Sequence, residues 1–230
     1  ITGSTGSYSV PNANQCITCH GNDDQPSGSA PIGPKPRNLN RAYQPESSFM
    51  GTAGQAGFPR VNQLQYWIDQ GLLAGAPDLE LDGQGVATNI ERLPRWNVPG
   101  DGGDTANSPA DIEHRLRAYL EVNCQHCHND KGAASNTGYY LDTFRAVDAG
   151  YGICKKPTAT GGGSCGRQHV VVPGSSDDSI VSCRMEAEDN PQRMMPPIAR
   201  SVAHDGATAL MRQWINTVVD GDYDNAGGCN

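Results

Sequence analysis

Hydrophobic side chains recur at steps of three and four residues in three segments, which is the spacing of one face of an α-helix. The first segment covers residues 62–73, and Gly71 and Gly75 favour its end. The second begins at Ser108, a good N-terminal cap that is followed by a proline. The third covers residues 205–219. Their apolar stripes are Val61, Leu64, Trp67, Ile68 and Leu72, then Ile112, Leu116, Tyr119 and Leu120, and finally Leu210, Met211, Trp214, Ile215 and Val218. The pattern predicts three amphipathic helices that each bury one face.

The segments between these helices are rich in turn-forming residues. The chain has 28 glycines and 16 prolines, and residues 76–107 contain repeated Asp-Gly and Pro-Gly pairs. Hydrophobic residues make up 36% of the chain and aromatic residues only 6%. We therefore expect a mostly α, loop-rich fold with little β, and small cores that a bulky apolar group could complete.

Two pentapeptides carry the chemistry. The second predicted helix leads directly into Cys124-Gln-His-Cys127-His128, and a related segment, Cys16-Ile-Thr-Cys19-His20, lies near the amino terminus. Cys-x-x-Cys-His is the attachment signature of c-type haem, in which both sulfurs bond the porphyrin and the histidine binds the iron. Zinc sites or disulfides would explain the cysteine pairs, but they leave the two following histidines as coincidence. The motifs predict two covalently bound haem c groups.

The two halves of the chain repeat one plan. Each pentapeptide is followed by a long loop and then by an apolar helix that contains Trp-Ile, at Trp67 and at Trp214. The second half has a large insertion in its Gly-rich 150–170 region. We predict two cytochrome-c-like haem domains, residues 1–105 with the linker and residues 106–230.

A low-spin haem needs a second axial ligand, and methionine is a common one. Met195 precedes Pro196 and Pro197, which hold the residue before them extended, so Met195 is the candidate for the second haem. Met194 is its local competitor, and packing of Met195 on the haem face is the other alternative. Met50 lies at the equivalent place before Trp67, and it is the candidate for the first haem or a residue that does not bind it.

The other histidines and methionines receive weaker assignments. We expect His114 on the surface, His126 pointing away from its own iron, and Met185 and Met211 in the core. His169 and His204 are alternative ligands across domains or subunits. The sequence 220–224 resembles the opening of a calcium loop but lacks the later glutamate, which favours a solvated acidic tail.

Four cysteines remain outside the motifs, namely Cys154, Cys165, Cys183 and Cys229. We expect two disulfides among the three connectivities, with Cys154–Cys165 and Cys183–Cys229 favoured. Disulfides and covalent haem both indicate an oxidising compartment, so we expect a periplasmic or extracellular protein whose signal peptide has been removed.

The formal net charge is −8. This charge argues against nucleic-acid binding and favours redox protein partners with basic docking surfaces. No apolar run approaches the roughly 18 residues of a membrane span.

The sequence resembles bacterial dihaem c-type cytochromes. Residues 109–219 are similar to the haem domain of a secreted family of unassigned role, through Ala-Tyr-Leu-Glu-Val-Asn-Cys-Gln-His-Cys-His-Asn, Tyr-Gly-Ile-Cys-Lys-Lys-Pro, Val-Val-Pro-Gly-Ser-Ser-Asp-Asp-Ser-Ile-Val, Arg-Met and Met-Met-Pro-Pro. In related haem domains the methionine of the Met-Pro-Pro turn is the distal ligand, which corresponds to Met195. The first half is similar through Pro-Asn-Ala-Asn-Gln-Cys-Ile-Thr-Cys-His and Asn-Gln-Leu-Gln-Tyr-Trp, and the two-domain plan resembles cytochrome c4.

Electron transfer between partners outside the cytoplasm is the leading hypothesis for the function. The sequence has no acid/base pair, nucleophile motif or phosphate loop that would indicate a substrate site. The alternatives are a dihaem enzyme of peroxidase type with one open iron, and a haem-bearing subunit that self-assembles into an extracellular electron-transfer assembly.

Overall fold

The computed structural model describes residues 10–21, 31–43, 61–158, 160–219 and 229. In these ranges it has six α-helices: α1 (Ala13–His20), α2 (Pro36–Leu39), α3 (Gln63–Asp69), α4 (Pro109–Asn123), α5 (Ile180–Glu186) and α6 (Asp205–Thr217). Single 3₁₀ turns lie at Ser135–Thr137, Ala149–Tyr151 and Gly161–Ser164. Strand β1 (Ala42–Tyr43) pairs antiparallel with β2 (Val61–Asn62). The prediction of a mostly helical, loop-rich chain with little β is confirmed.

The chain divides into two compact units. The smaller unit is residues 33–94, and the larger one takes the described residues of 1–32 and 95–230. The predicted haem domains, residues 1–105 and 106–230, are defined by the haem that each would bind. They stay a prediction.

The larger unit is built around α6, which packs against both α4 and α5. The predicted apolar faces of α4 and α6 form much of the core of the larger unit. The buried cluster comprises Ile112, Leu116, Leu120, Leu141, Tyr151, Ile153, Val170, Val171, Val181, Leu210, Met211, Trp214, Ile215 and Val219. Burying these large apolar side chains is the main stabilising contribution, at about 1.5–3 kcal/mol each.

The caps of α4 and α3 agree with the sequence, but α3 is shorter than predicted. The Ser108 hydroxyl accepts a hydrogen bond from the Asp111 amide at 3.2 Å and begins α4 as expected. Helix α3 ends at Asp69, because Gly71 adopts a φ of +69° and turns the chain away. Leu72 is therefore 72% exposed rather than buried.

The smaller unit contains a pair of buried asparagines. The Asn40 side-chain amide donates to the carbonyls of Ala87 at 2.8 Å and Ile90 at 2.7 Å, and its oxygen accepts from the Ala87 amide at 2.8 Å. Asn62 donates to the same Asn40 oxygen at 2.9 Å, and its own oxygen caps α3 through the Leu64 amide. These bonds tie the loop around residues 85–90 to the start of α3.

The disulfides pair differently from the expected arrangement. Cys154 is bonded to Cys229, and Cys165 is bonded to Cys183. The 3₁₀ turn at Gly161–Ser164 packs against α5, so that Cys165 faces Cys183 on that helix. Cys154 instead lies beside Val171, whose carbonyl also lies 3.7 Å from the Cys229 sulfur. The expected pairs Cys154–Cys165 and Cys183–Cys229 are therefore wrong, because loop-to-loop proximity, not sequence spacing, brings the sulfurs together.

None of the helices in the described ranges combines the length and the apolar content that a membrane crossing needs.

Candidate functional site

Helix α4 delivers the second pentapeptide, and a buried ion pair holds its first turn. The Arg115 guanidinium donates to Asp111 at 2.9 Å and to the Trp96 carbonyl at 3.1 Å. Asp111 also accepts hydrogen bonds from the amides of Gly100 at 2.8 Å and Asn107 at 2.9 Å. Burial raises the pKa of Asp111, but these two amides and Arg115 outweigh it, and the net pKa lies below its ordinary value. Asp111 is therefore a carboxylate that fixes the start of α4.

The chain makes one tight turn after α4. The amides of Cys127 and His128 both donate to the Cys124 carbonyl, at 3.1 and 3.0 Å. The Cys127 carbonyl accepts from the Ala134 amide at 3.0 Å, and a Cβ on Gly132 would come within 2.4 Å of that carbonyl oxygen. The turn thus holds two cysteines and a histidine in one short, closely packed segment.

His128 is oriented by a backbone carbonyl. Its side chain is buried, and Nδ1 lies 3.1 Å from the Tyr139 carbonyl oxygen, which can only accept, so Nδ1 carries the proton. Burial lowers the pKa of His128, and the charge on Arg184 lowers it further, against the raising effect of the Tyr139 carbonyl. The imidazole is therefore neutral and leaves Nε2 as the nitrogen with a lone pair. Histidine metal ligands in proteins are commonly oriented in this way.

Three tyrosines pack in or against the same core as Cys124, namely Tyr119, Tyr139 and Tyr151. Burial raises their pKa values, and a charge on Cys124 would raise them further. Burial raises the pKa of the Cys124 thiol to about 12, and that of Tyr119 to about 12. The Cys124 thiol and the Tyr119 hydroxyl are therefore uncharged at pH 7.

Some buried polar atoms near these tyrosines have no hydrogen-bond partner within the described ranges. They include the Tyr151 hydroxyl and the Trp214 indole nitrogen, whose rings meet edge to face with centroids 6.0 Å apart. A buried donor without an acceptor costs about 1–3 kcal/mol. Both donors lie within the hydrophobic core of the larger unit.

The first pentapeptide lies on α1. Asn12 and Gln15 form a reciprocal capping box, with bonds of 3.0 and 2.9 Å, that starts this helix. No residue of α1 is buried, and Cys16 and Ile17 are exposed. An eight-residue helix without buried side chains has little stability of its own, and it gains stability when an apolar surface covers it.

The two pentapeptides lie beside one another in the larger unit. The Cys127 sulfur lies 3.5 Å from the Thr18 carbonyl oxygen of α1. One ligand atom from each of Cys19, His126 and Cys127 falls within 4.8 Å of the others. No sequence pattern predicts this proximity, because only tertiary packing brings the two segments together.

The structure describes one of the two methionine candidates. The Met195 amide donates to the Arg184 carbonyl at 2.9 Å, and its own carbonyl accepts from Arg200 at 2.5 Å, so the backbone is fixed from both sides. The Met195 side chain is half-buried, whereas Met194 is buried. Met50 lies outside the described residues, as do residues 220–224 of the predicted acidic tail.

The remaining histidines and methionines have structural partners. His114 is exposed and bonds Asp104 at 2.7 Å, as expected of a surface residue. His204 lies 3.1 Å from the Tyr119 hydroxyl, and His169 is buried. The other two methionines pack in or against the core, as predicted: Met185 and Met211.

The residues of the second pentapeptide fit a haem. All four pentapeptide cysteines are outside disulfides, whereas the four other cysteines are all bonded. The buried, neutral His128 leaves Nε2 as the nitrogen that could bind an iron. Sequence reasoning missed the tyrosines around Cys124 and the backbone partner of His128, because loop packing alone brings them there.

Comparison with protein-family models, curated proteins and solved structures finds no match to this chain.

Proposed function

We propose that the protein is a dihaem c-type cytochrome that carries electrons between redox partners. Cys16 and Cys19 would bond the first haem, and His20 would bind its iron. Cys124 and Cys127 would bond the second haem, and His128 would bind its iron. Haem iron, when bound, supplies reversible one-electron chemistry. The observation that carries the proposal is the hydrogen bond from His128 Nδ1 to the Tyr139 carbonyl, since it fixes the tautomer that an axial ligand requires.

The chain's own residues set the environment of the second haem. The Tyr139 carbonyl polarises the Nδ1–H bond of His128, and this makes Nε2 a stronger electron-pair donor to a metal ion. The side chains of Tyr139 and Tyr151 exclude water from the surroundings of His128. This favours the neutral imidazole of His128 and would limit access of small molecules to a bound iron.

Met195 is the proposed sixth ligand of the second haem. Its backbone is fixed by Arg184, and the charge of Arg184 is close enough to His128 to affect its pKa, so the two segments are neighbours. Methionine ligation raises the potential relative to a second histidine. Met50 is proposed for the first haem on the sequence repeat alone.

Charge and cysteine chemistry support the biological setting. The net charge of −8 favours redox partners with basic surfaces, and haem propionates add further negative charge. Two disulfides in one chain favour a periplasmic or extracellular location.

Mass spectrometry tests the haem content. The full chain, produced with a c-type haem maturation system, is expected to carry two haem additions. The variant with Cys124→Ser and Cys127→Ser is expected to carry one. A matched control with Cys165→Ser and Cys183→Ser removes a disulfide outside the motifs and is expected to keep both. The bare polypeptide mass for the parent chain would refute the proposal.

A second experiment tests the ligand and the carrier role. The parent protein is expected to be wholly low-spin in both redox states and not to bind carbon monoxide readily. Met195→Leu is expected to open one iron to carbon monoxide, whereas Met194→Leu, the adjacent control, is expected not to. Ready binding of carbon monoxide by the parent protein would contradict a simple carrier and favour a peroxidase-type enzyme. Opening of the iron by Met194→Leu instead would move the ligand to Met194.

A further inference from the structure

The cluster of Cys19, His126 and Cys127 assembles ligands from two distant parts of the sequence. Cys19 is on α1, and the other two residues are in the turn after α4. Their ligand atoms lie within 4.8 Å of one another, and all three side chains are half-buried. Folding, not local sequence, therefore brings two thiols and an imidazole to one point.

His126 supplies a second, independent observation. Its Nδ1 atom is buried and has no hydrogen-bond partner among the residues that the structure describes. The backbone behind it is held in place, since the Asn129 side chain donates to the His126 carbonyl at 3.1 Å. An unpartnered buried ring nitrogen costs about 1–3 kcal/mol, and that cost disappears when the nitrogen binds a cation. In the cytochrome proposal His126 has no role at all.

The donor set selects the class of cation. Two sulfurs and one imidazole nitrogen suit thiophilic d¹⁰ ions such as Zn²⁺, whose ligands lie at about 2.0–2.3 Å in a tetrahedron. Within the described part of the chain no carboxylate belongs to this cluster, and Ca²⁺ and Mg²⁺ are poorly matched to its sulfur and nitrogen ligands. Water can complete the fourth position. The three atoms need only small side-chain movements to reach tetrahedral spacing.

We propose that Cys19, His126 and Cys127 bind Zn²⁺ in the polypeptide before haem is attached. The proposal rests on the proposed function in one respect. Thioether formation converts the same two sulfurs from thiolate donors into bridges to the porphyrin, so zinc and haem attachment exclude each other. Bound zinc would thus hold the two pentapeptides together until the haems are attached.

Cobalt titration of the haem-free full chain tests the proposal. The chain is produced without the haem maturation system, with its two disulfides formed, and Co²⁺ is used as the spectroscopic probe. We expect one Co²⁺ per chain, with sulfur-to-cobalt charge transfer, the visible bands of a tetrahedral site, and displacement by Zn²⁺. Cys19→Ser, Cys127→Ser and His126→Ala are expected to weaken binding by about tenfold or more.

Each motif supplies its own matched control. Cys16→Ser and Cys124→Ser remove the other cysteine of the same pentapeptides, and they are expected to leave the cobalt affinity and bands nearly unchanged. Circular dichroism of every variant checks that the helices remain. Absence of tetrahedral cobalt bands would overturn the proposal. Equal weakening by Cys16→Ser and Cys124→Ser would also overturn it, because it would indicate a site made of four cysteines.

The two proposals fail separately. Two haem additions in the matured protein together with no cobalt site in the haem-free chain would overturn only the zinc site. A cobalt site in a chain that never acquires haem would overturn only the cytochrome proposal.

Discussion

Removal of the buried carboxylate at the start of α4 gives the sharpest test of how the second pentapeptide is supported. In the Asp111→Ala variant, Arg115 keeps its charge in a site where its side chain is only 6% exposed. The amides of Gly100 and Asn107 also lose their acceptor. Breaking a buried ion pair from one side costs about 3–5 kcal/mol, and the two amides belong to the same network, so we expect a total loss in that range.

Urea unfolding of the full chain, followed by circular dichroism at pH 7, measures this loss. Asp142→Ala is the control, because Asp142 pairs with Arg145 at 3.1 Å but is 37% exposed. Its removal is expected to cost less than about 1 kcal/mol. The double variant with Asp111→Ala and Arg115→Met is expected to be more stable than Asp111→Ala alone, since it no longer buries an unpaired charge. Equal costs for Asp111→Ala and Asp142→Ala would refute the reasoning.

Other predictions follow from the same structure. Gly132→Ala places a Cβ against the Cys127 carbonyl and is expected to lower the free energy of unfolding by about 1–3 kcal/mol. The control Gly83→Ala faces open space and is expected to change it by less than about 1 kcal/mol. Equal effects of the two variants in urea unfolding would contradict the close packing at Gly132. Asn40→Ala leaves several buried backbone groups unpaired and is expected to cost about 3 kcal/mol in the same assay, and a loss below about 1 kcal/mol would show that the pair is dispensable. The lowered pKa of Asp111 stabilises the fold above the unfolded-state pKa of about 3.9, and this stabilisation is lost as the pH falls through the lower folded-state pKa. The difference in unfolding free energy between the parent and Asp111→Ala should therefore be the same at pH 7 and pH 5 and shrink only below about pH 4. A large decrease of this difference by pH 5 would argue against a depressed pKa.

The helices of the larger unit were predictable because local signals and burial agree there. Ser108 caps α4, and the apolar face of α6 is buried in the core, as expected. Helix α3 was predicted too long because Leu72 continues the apolar period, although the backbone at Gly71 had already turned. Period alone carries no information on where a chain turns away from its core.

The candidate site could be predicted only where its residues lie close together in the sequence. Cys124, Cys127 and His128 are recognised from their spacing, whereas the carbonyl that orients His128 belongs to Tyr139, which a loop brings back. The disulfides illustrate the same limit, since Cys165 reaches Cys183 through the packing of a 3₁₀ turn on α5. Contacts between loops depend on the whole fold and leave no periodic signal.

The bond between Cys154 and Cys229 spans 75 residues and encloses both α5 and α6, with the Cys165–Cys183 bond nested inside it. A protease that cuts this stretch once therefore leaves a nicked molecule whose two pieces stay joined until a reductant separates them. The helix that carries Trp214 thus remains attached to the larger unit after such a cleavage.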